Sequence, residues 1–270
     1  MIQDISPSRL DNSYRPYKAG ASDYVLCFDT EGRILCDTSD GLVFTTGADA
    51  KGSIYLFSVD DRRFFLSDRN DVIKPGYEYR SVRDLRAVCT GSMLFAAFTA
   101  YHLWRWYSDN IYCGRCGQKL SPHDTERALV CACGNTVYPR INPAVIVGVS
   151  KGESILITRY QRGYAHNALV AGFTEIGETL EQTVAREVME ETGIRVKNIR
   201  YYKSQPWAPA QDLLAGFFCE ADGDDPIRRD DSELRYAEWV DRKDIVLQPD
   251  DVSLTNEMMR MFKDGRIQIL

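Results

Sequence analysis

The chain has 270 residues, of which 44% are hydrophobic and 27% are charged, and its formal net charge is -6. This composition is typical of a globular protein and excludes an intrinsically disordered chain. The length favours two compact units, and the negative charge argues against a surface that coats nucleic acid, although a metal ion can still attract an anionic substrate to a local site.

The N-terminal half of the sequence predicts strands followed by a helix. Its first residues, MIQDISPSRL, lack a basic segment before an apolar core, so we expect no secretory signal and a cytoplasmic location. Residues 24–36, YVLCFDTEGRILC, have the pattern of a β-hairpin, and residues 53–66, SIYLFSVDDRRFFL, repeat it. Residues 81–110 then change to helical spacing. We therefore predict an α+β domain over residues 1–108, in which no residue has a chemical signature.

An uncharged segment, residues 87–104, approaches the length of a membrane span. It also carries small and polar side chains, which a span of this length rarely tolerates. Such side chains favour a buried helix and no membrane association. They are Thr90, Gly91, Ser92, Thr99, Tyr101 and His102.

Four of the eight cysteines lie close together in a turn-rich segment, for which we predict a separate small domain over residues 109–140. CGRCG places Cys113 and Cys116 in the spacing that aims two thiolates at one cation, and CACG adds Cys131 and Cys133 with a one-residue spacer. Four thiolates form a closed tetrahedral site, which predicts a structural zinc ribbon. A redox pair and unligated thiols are the alternatives.

Residues 141–270 predict a second large domain. AVIVGV, SILITRY and NALVAGF have the composition of strands, a glutamate-rich helix follows, and VKNIRYY, LLAGFFCE and YAEWV predict further strands before a last helix over residues 254–263. We expect a mixed sheet with helices packed on it, an α-β-α sandwich.

The glutamate-rich stretch GETLEQTVAREVMEETGI, residues 177–194, predicts a helix with defined ends. Thr179 and Gln182 have capping-box spacing and Gly193 is a natural stop, so the helix should cover residues 180–192. At about 100° per residue, Glu187 and Glu191 share a face with Leu180 and Val184. A solvated acidic face is the simpler alternative, but carboxylates on an apolar face require cations, and glutamates favour Mg²⁺ or Mn²⁺.

The same residues match a known motif. Gly172, Glu178 and REVMEETGI, residues 186–194, agree with G-x5-E-x7-R-E-U-x-E-E-x-G-U, where U is apolar, at each fixed position. The chain is therefore identified as resembling the Nudix hydrolases. The cysteine segment followed by YPR, residues 138–140, and the later SQPW, residues 204–207, resembles the NADH pyrophosphatase branch. That branch continues S-Q-P-W-P-F-P-x-S, whereas this chain reads SQPWAPAQD, so the preference for NADH is open.

The resemblance implies roles for individual residues. The Ala171 carbonyl, Glu187, Glu191 and Glu233 would bind the catalytic metals with help from Glu190, and Glu190 or Glu191 would take the proton of the attacking water. An exposed loop acid is the alternative reading of Glu233. Glu178 would pair with Arg186, and structural roles fall to Gly172, Glu178, Arg186 and Gly193.

The implied substrate is a dinucleotide, NADH or NAD⁺, which is cleaved into nicotinamide mononucleotide and AMP. Tyr138 and Phe173 would form aromatic walls for a base, with core packing as the alternative. The other expected substrate contacts are Gln205, Pro206, Trp207, Ala208 and Thr255. Another Nudix preference (ADP-ribose, dinucleoside polyphosphates or an NAD-capped RNA end) and a non-catalytic nucleotide-sensing or zinc-ribbon module remain alternatives. The resemblance also implies a homodimer.

Overall fold

The computed structural model describes residues 1–47, 53–67, 75–162 and 166–267. The chain divides into two compact units. The first comprises Ile2–Ile141 and Ala208–Gln211, and the second comprises Met1, Asn142–Trp207 and Asp212–Leu270.

The described residues of the first unit begin with seven short strands and one long helix. Two small sheets have the orders β1-β5-β6-β2 and β4-β3-β7, and β2 runs parallel to β6. The elements are β1 (Leu10–Asp11), β2 (Tyr24–Cys27), β3 (Arg33–Asp37), β4 (Val43–Phe44), β5 (Ile54–Val59), β6 (Arg62–Ser67), β7 (Glu78–Ser81) and α1 (Ser92–Asp109).

One of the two hairpin predictions is confirmed, and the other is confirmed at its turn but not along its strands. Strands β5 and β6 pair in antiparallel fashion around a two-residue turn, as the pattern indicates. Strands β2 and β3 enter different sheets, although the antiparallel bridge between Phe28 and Ile34 and the hydrogen bond from the Asp29 amide nitrogen to the Arg33 carbonyl close the turn between them. Both strands are largely buried, so each obtains its backbone partners from a different neighbour in the core rather than from the strand next in sequence.

Helix α1 confirms that residues 92–104 belong to a helix with a buried face. Its buried residues are Leu94, Phe95, Ala96, Ala97, Phe98, Ala100, Leu103 and Trp106. Within the described ranges, no helix is both long and apolar enough to cross a membrane.

A third small sheet completes the first unit. The antiparallel strands are β8 (Ser121–Pro122), β9 (Leu129–Val130) and β10 (Thr136–Val137), in the order β10-β9-β8. Trp106 and Leu120 pack with Leu129 and two cysteines in a cluster of five buried residues. So few apolar side chains cannot stabilise a fold of this size by burial alone.

The second unit contains the predicted mixed sheet. Its strand order is β14-β15-β11-β12-β16, with β13 also paired to β11; β11 and β15 are parallel, and the other pairs are antiparallel. The elements are β11 (Asn142–Lys151), β12 (Ser154–Tyr160), β13 (Val170–Phe173), α2 (Leu180–Thr192), β14 (Val196–Trp207), β15 (Asp212–Ala221), β16 (Leu234–Asp241) and α3 (Leu254–Lys263).

Strand β11 shows why helices cover both faces of this sheet. Val145, Val147 and Val149 pack in one buried cluster with Val184 and Val188 of α2. The intervening Ile146 packs in a second cluster with residues of α3. Because successive side chains point to opposite faces, an uninterrupted apolar strand needs cover on both sides. The predicted α-β-α sandwich is confirmed in this unit.

Candidate active site

Helix α2 has the predicted bounds and caps. The Thr179 hydroxyl accepts a hydrogen bond from the Gln182 amide nitrogen at 3.2 Å, and the Gln182 side chain accepts one from the Thr179 amide nitrogen at 2.8 Å. Gly193 adopts φ 71°, the left-handed conformation that ends a helix. The glutamates therefore project from a helix whose start and stop are encoded locally.

Arg186 connects the carboxylates at the edge of the site. Its guanidinium group donates to Glu178 Oε1 at 2.6 Å, to Glu187 Oε1 at 2.8 Å and to Glu190 Oε2 at 3.0 Å. It also donates to the Phe173 carbonyl at 2.9 Å. The bonds from Arg186 lower the pKa of Glu178 to about 2. Arg186 thus ties the loop before the helix to the helix itself.

Gly172 allows the sheet to approach Glu187. It lies in β13 opposite Val145, on the face that α2 covers. A Cβ atom on Gly172 would lie 2.0 Å from the Glu187 carboxyl carbon. Only glycine leaves room for that carboxyl group against the strand.

We expect Gly172→Ala to displace the Glu187 carboxylate while the fold survives. The added methyl group collides with the end of a flexible side chain, so the free energy of unfolding should fall by about 1 kcal/mol. The misplaced carboxylate should lower kcat by about 10²-fold. Urea unfolding and steady-state kinetics measure the two effects. Gly20→Ala is the control, because an added Cβ there would lie 3.4 Å from its nearest contact, Asp23 Oδ2, an ordinary van der Waals distance. Unchanged kcat in Gly172→Ala would contradict the expectation.

Glu191 is the buried acid of the site, with 2% of its surface exposed. Burial, together with the charges of Glu187 and Glu233, raises its pKa to about 8. Its Oε1 lies 3.3 Å from the hydroxyl group of Tyr160. Its Oε2 is buried and has no hydrogen-bond partner among the described residues. A buried carboxylate oxygen without a partner is costly unless a cation binds it.

The remaining two acids lie at the rim. The Glu190 side chain is 60% exposed and contacts Arg186. Glu233 is also exposed, as its alternative reading expects. Burial raises the pKa values of Glu187 and Glu191, and the charge of Glu233 adds to both rises, so its side chain lies near theirs. These acids lie near one another, but their carboxylates do not converge on one point. Arg186 hydrogen-bonds Glu187 and Glu190, whereas Tyr160 hydrogen-bonds Glu191.

The donor set fits a hard divalent cation. It contains carboxylates and the backbone of Ala171, which lies next to Gly172 in β13 and whose carbonyl is 3.3 Å from the Tyr160 hydroxyl. The unpartnered Glu191 Oε2 and the space that Gly172 leaves for Glu187 supply the strongest evidence.

The two aromatic residues predicted to contact a base are exposed, so the core-packing alternative is wrong for both. Phe173, at the end of β13, is 52% exposed in the second unit. Tyr138 is 58% exposed in the first unit, and its hydroxyl donates to Glu126 at 2.7 Å.

Gln205 has a different environment from the one expected. Its side chain is fully buried, donates to the Val252 carbonyl and accepts from the Leu254 amide nitrogen, each at 2.8 Å. It therefore secures the start of α3, and we correct the expectation that its side chain faces substrate. Of the other expected contacts, Pro206 is exposed, Trp207 and Thr255 are half-buried, and Ala208 is buried.

Asp212 stands where the resembling branch has its final serine. It begins β15, opposite Trp207 and Asn142 in the neighbouring strands. It is 5% exposed, and its Oδ1 has no partner in the part of the chain that the structure describes. Burial raises its pKa to about 6, and a hydrogen bond from Asn142 opposes that rise.

Asp212→Asn is expected to stabilise the protein above pH 6 and to leave it unchanged near pH 4. The folded-state pKa of Asp212 is raised, so the unfolded state loses this proton first, and stability falls as pH rises from about 4 to about 6. The neutral amide removes that loss, which we put at roughly 1–3 kcal/mol. Urea unfolding at pH 4.5 and pH 8 measures it. An equal gain at both pH values would contradict the electrostatic explanation.

The predicted cysteine ligands converge. Cys113, Cys116, Cys131 and Cys133 place their sulfur atoms within 4.8 Å of one another, the one such cluster of potential ligands within the described ranges. The Cys113 and Cys133 sulfurs are 3.7 Å apart, near the ~3.8 Å that tetrahedral zinc with bonds of about 2.3 Å requires. Backbone amides, first that of Arg115, lower the pKa of Cys113 to about 6. The one-residue spacer does not prevent convergence.

Tyr160 is the site residue that sequence reasoning missed. It ends β12, and its hydroxyl accepts a hydrogen bond from the Ala171 amide nitrogen at 3.0 Å. Burial raises its pKa well above the usual value, so it stays a neutral phenol. The available signal was weak: a tyrosine closing an otherwise apolar strand.

Comparisons with known proteins agree with this geometry. The NUDIX domain family model matches residues 139–262. The NAD-capped RNA hydrolase NudC of Escherichia coli O9:H4 (strain HS) is 46% identical over 151 residues, 54% of this chain and 58% of the relative. The protein of the same name from Shigella boydii serotype 18 (strain CDC 3083-94 / BS512) matches equally. The match thus spans less than two thirds of these curated relatives.

Among solved structures, a NUDIX hydrolase from Nitrosomonas europaea has a TM-score of 0.49 and 21% identity, covering 57% of this chain and 91% of that chain. The family match covers the segment in which Arg186 hydrogen-bonds the box glutamates Glu178, Glu187 and Glu190. Residues 139–262 therefore match the NUDIX domain family, and the box residues lie within this match.

Proposed function

We propose that the protein is a metal-dependent pyrophosphohydrolase that cleaves the diphosphate of NADH or NAD⁺ to nicotinamide mononucleotide and AMP. The observation that carries this proposal is the buried, unpartnered Glu191 Oε2 beside the other box glutamates. A site built only for nucleotide binding has no need of a buried carboxylate that leaves one oxygen without a partner among the described residues. The relatives named as NAD-capped RNA hydrolases support the substrate class.

The proposed metal ligands are the Ala171 carbonyl, Glu187, Glu191 and Glu233, with Glu190 assisting. Bound Mg²⁺ or Mn²⁺ would neutralise the diphosphate and polarise its phosphorus. Arg186 holds Glu187 and Glu190 in place through its bonds to both. Glu190 or Glu191 would take the proton of the attacking water.

Substrate orientation is proposed to involve the exposed ring of Phe173, which stacks on a base of the dinucleotide. Tyr138 stays a predicted base contact, as do Pro206, Trp207, Ala208 and Thr255. The proposed structural roles are loop anchoring by Glu178 and Arg186, close approach at Gly172 and helix termination at Gly193.

Chromatographic product analysis tests the proposal. Purified protein is incubated with Mg²⁺ or Mn²⁺ and, separately, with NADH, NAD⁺, ADP-ribose and diadenosine polyphosphates, with Glu191→Gln as the inactive control. We expect NADH or NAD⁺ to be converted into equal amounts of nicotinamide mononucleotide and AMP. If both are spared while another substrate is cleaved, the metal chemistry stands and the substrate proposal fails.

A second candidate substrate is an NAD-capped RNA end, with ADP-ribose and dinucleoside polyphosphates as further options. The departure SQPWAPAQD favours a preference other than NADH, since it places buried Asp212 where the resembling branch has serine. A short capped RNA added to the same assay separates these substrates. Cleavage of the cap at a much higher kcat/KM than free NAD⁺ or NADH would make the capped end the substrate.

We also propose that the four cysteines bind structural Zn²⁺, because their sulfurs already have the spacing of a tetrahedral site. The proposed organisation is an N-terminal domain over residues 1–108, a zinc ribbon over 109–140 and a Nudix domain over 141–270. A homodimer stays a prediction from the resemblance, which light scattering tests.

A further inference from the structure

One hydroxyl group contacts two of the proposed metal ligands. The Tyr160 oxygen accepts the Ala171 amide hydrogen at 3.0 Å, lies 3.3 Å from the Ala171 carbonyl oxygen and lies 3.3 Å from Glu191 Oε1. The hydroxyl has a single hydrogen to donate. A carboxylate oxygen is a stronger acceptor than a carbonyl oxygen, so Glu191 is the favoured recipient when it is ionised.

This contact makes the two oxygens of Glu191 different. Oε1 has the Tyr160 hydroxyl as its neighbour, whereas Oε2 is buried without a partner in the described part of the chain. A carboxylate free to rotate would exchange these two environments. The hydroxyl therefore fixes the rotation of the carboxyl group and leaves Oε2 to bind a cation.

The backbone directs Tyr160 to this position. Strands β12 and β16 pair regularly from Ser154 as far as Arg159, after which the register shifts and Tyr160 pairs with Leu234. Such β-bulges re-aim a side chain and occur often next to active sites. Leu234 directly follows Glu233, so the same irregularity lies beside one acid of the site, and Tyr160 contacts another, Glu191.

We propose that Tyr160 is a positioning residue for the metal centre: its hydroxyl orients Glu191 so that Oε2 faces the cation, and it fixes the Ala171 peptide whose carbonyl is the neighbouring ligand. This inference rests on the proposed function for the identity of the ligands. It assigns a role to a residue outside the Nudix box.

The test compares Tyr160→Phe with wild type in Mn²⁺ binding without substrate, measured by isothermal titration calorimetry. Glu191→Gln, measured in parallel, identifies the heat that belongs to this site. Loss of an outer-shell partner of a metal ligand weakens affinity by about 10- to 100-fold, and we expect the same for Tyr160→Phe. Its KM for NAD⁺ at saturating Mn²⁺ should change by less than about 2-fold, because the hydrogen-bond partners given for its hydroxyl, Leu169, Ala171 and Glu191, are not proposed substrate contacts.

Tyr236→Phe is the matched control. This tyrosine lies in the neighbouring strand β16 and is half-buried, and its hydroxyl donates to Glu238 at 3.2 Å. Removing this hydroxyl should leave Mn²⁺ affinity unchanged. Unfolding midpoints of both variants show whether any loss reflects folding.

A double substitution keeps the inference testable if Tyr160→Phe lowers stability. In the Glu191→Asp background, which keeps an anionic ligand but withdraws it from the Tyr160 hydroxyl, Tyr160→Phe should lower Mn²⁺ affinity by clearly less than it does in the wild-type background. Equal losses in both backgrounds would overturn the inference, as would wild-type affinity in Tyr160→Phe. Mn²⁺ binding by a wild-type protein that cleaves no dinucleotide would instead remove the proposed function and leave the role of Tyr160 intact.

Discussion

Glu191→Gln is expected to abolish metal-dependent turnover, lowering kcat by about 10³-fold or more, and to stabilise the metal-free protein. The amide cannot supply an anionic ligand or take a proton, so the cation and the proposed base are both lost. Without metal, however, the wild-type protein buries a carboxyl group whose Oε2 has no partner in the described part of the chain and whose neighbours are Glu187 and Glu233. A neutral side chain removes that repulsion, a gain of roughly 1–3 kcal/mol at pH 8.

Steady-state kinetics with Mg²⁺ and urea unfolding in chelator measure these opposite effects. Glu181→Gln is the matched control, since Glu181 lies in the first turn of the same helix and is exposed. It should change neither kcat nor stability appreciably. Wild-type kcat in Glu191→Gln would refute its assignment as a ligand, and lower stability would show that the buried carboxylate contributes favourably without metal.

Cys113→Ser is expected to release the zinc and to unfold the segment around β8, β9 and β10. Structural zinc in small domains contributes on the order of 10 kcal/mol, and the apolar cluster here includes Cys113 and Cys131 themselves. We therefore expect zinc content to fall from about one ion per chain towards zero. The thermal transition of the first unit should drop by about 10 °C or more.

Metal analysis by mass spectrometry and a thermal scan test this expectation. Cys89→Ser is the control, because Cys89 lies outside the cluster and its thiol donates to the Leu85 carbonyl at 3.3 Å, a bond that serine can keep. Full zinc content in Cys113→Ser would mean that three thiolates suffice. Absence of zinc from wild type would favour the alternative of unligated thiols.

Local signals in the sequence account for the parts of the fold that were predicted well. Helix α2 begins after a capping box and ends at a left-handed glycine, and α3 has the expected bounds, with Ser253 accepting a hydrogen bond from the Asn256 amide nitrogen at 3.1 Å. Each of these signals lies within a few residues of the boundary that it sets. The shared face of Glu187 and Glu191 likewise follows from helical periodicity alone.

The features that were missed depend on contacts between distant segments. Strands β2 and β3 have a hairpin pattern but different sheet partners, which no local signal reveals. Gln205 belongs to a short motif associated with substrate, yet its amide group binds backbone atoms of residues 252 and 254. Tyr160 contacts Glu191 from the end of β12, where the pairing of this strand with β16 shifts its register. These outcomes are decided by tertiary packing, which overrides local patterns.

The end of α2 is joined to the segment that carries Glu233. The Arg228 amide nitrogen donates to the Thr192 carbonyl at 2.7 Å, and the Asp230 amide nitrogen donates to the Glu191 carbonyl at 2.9 Å. Carbonyl groups that a helix terminus leaves open are thus satisfied by this loop. The last helical turn and the loop should consequently open as one unit of local unfolding, and in hydrogen exchange the amides of Arg228 and Asp230 should share a single opening free energy.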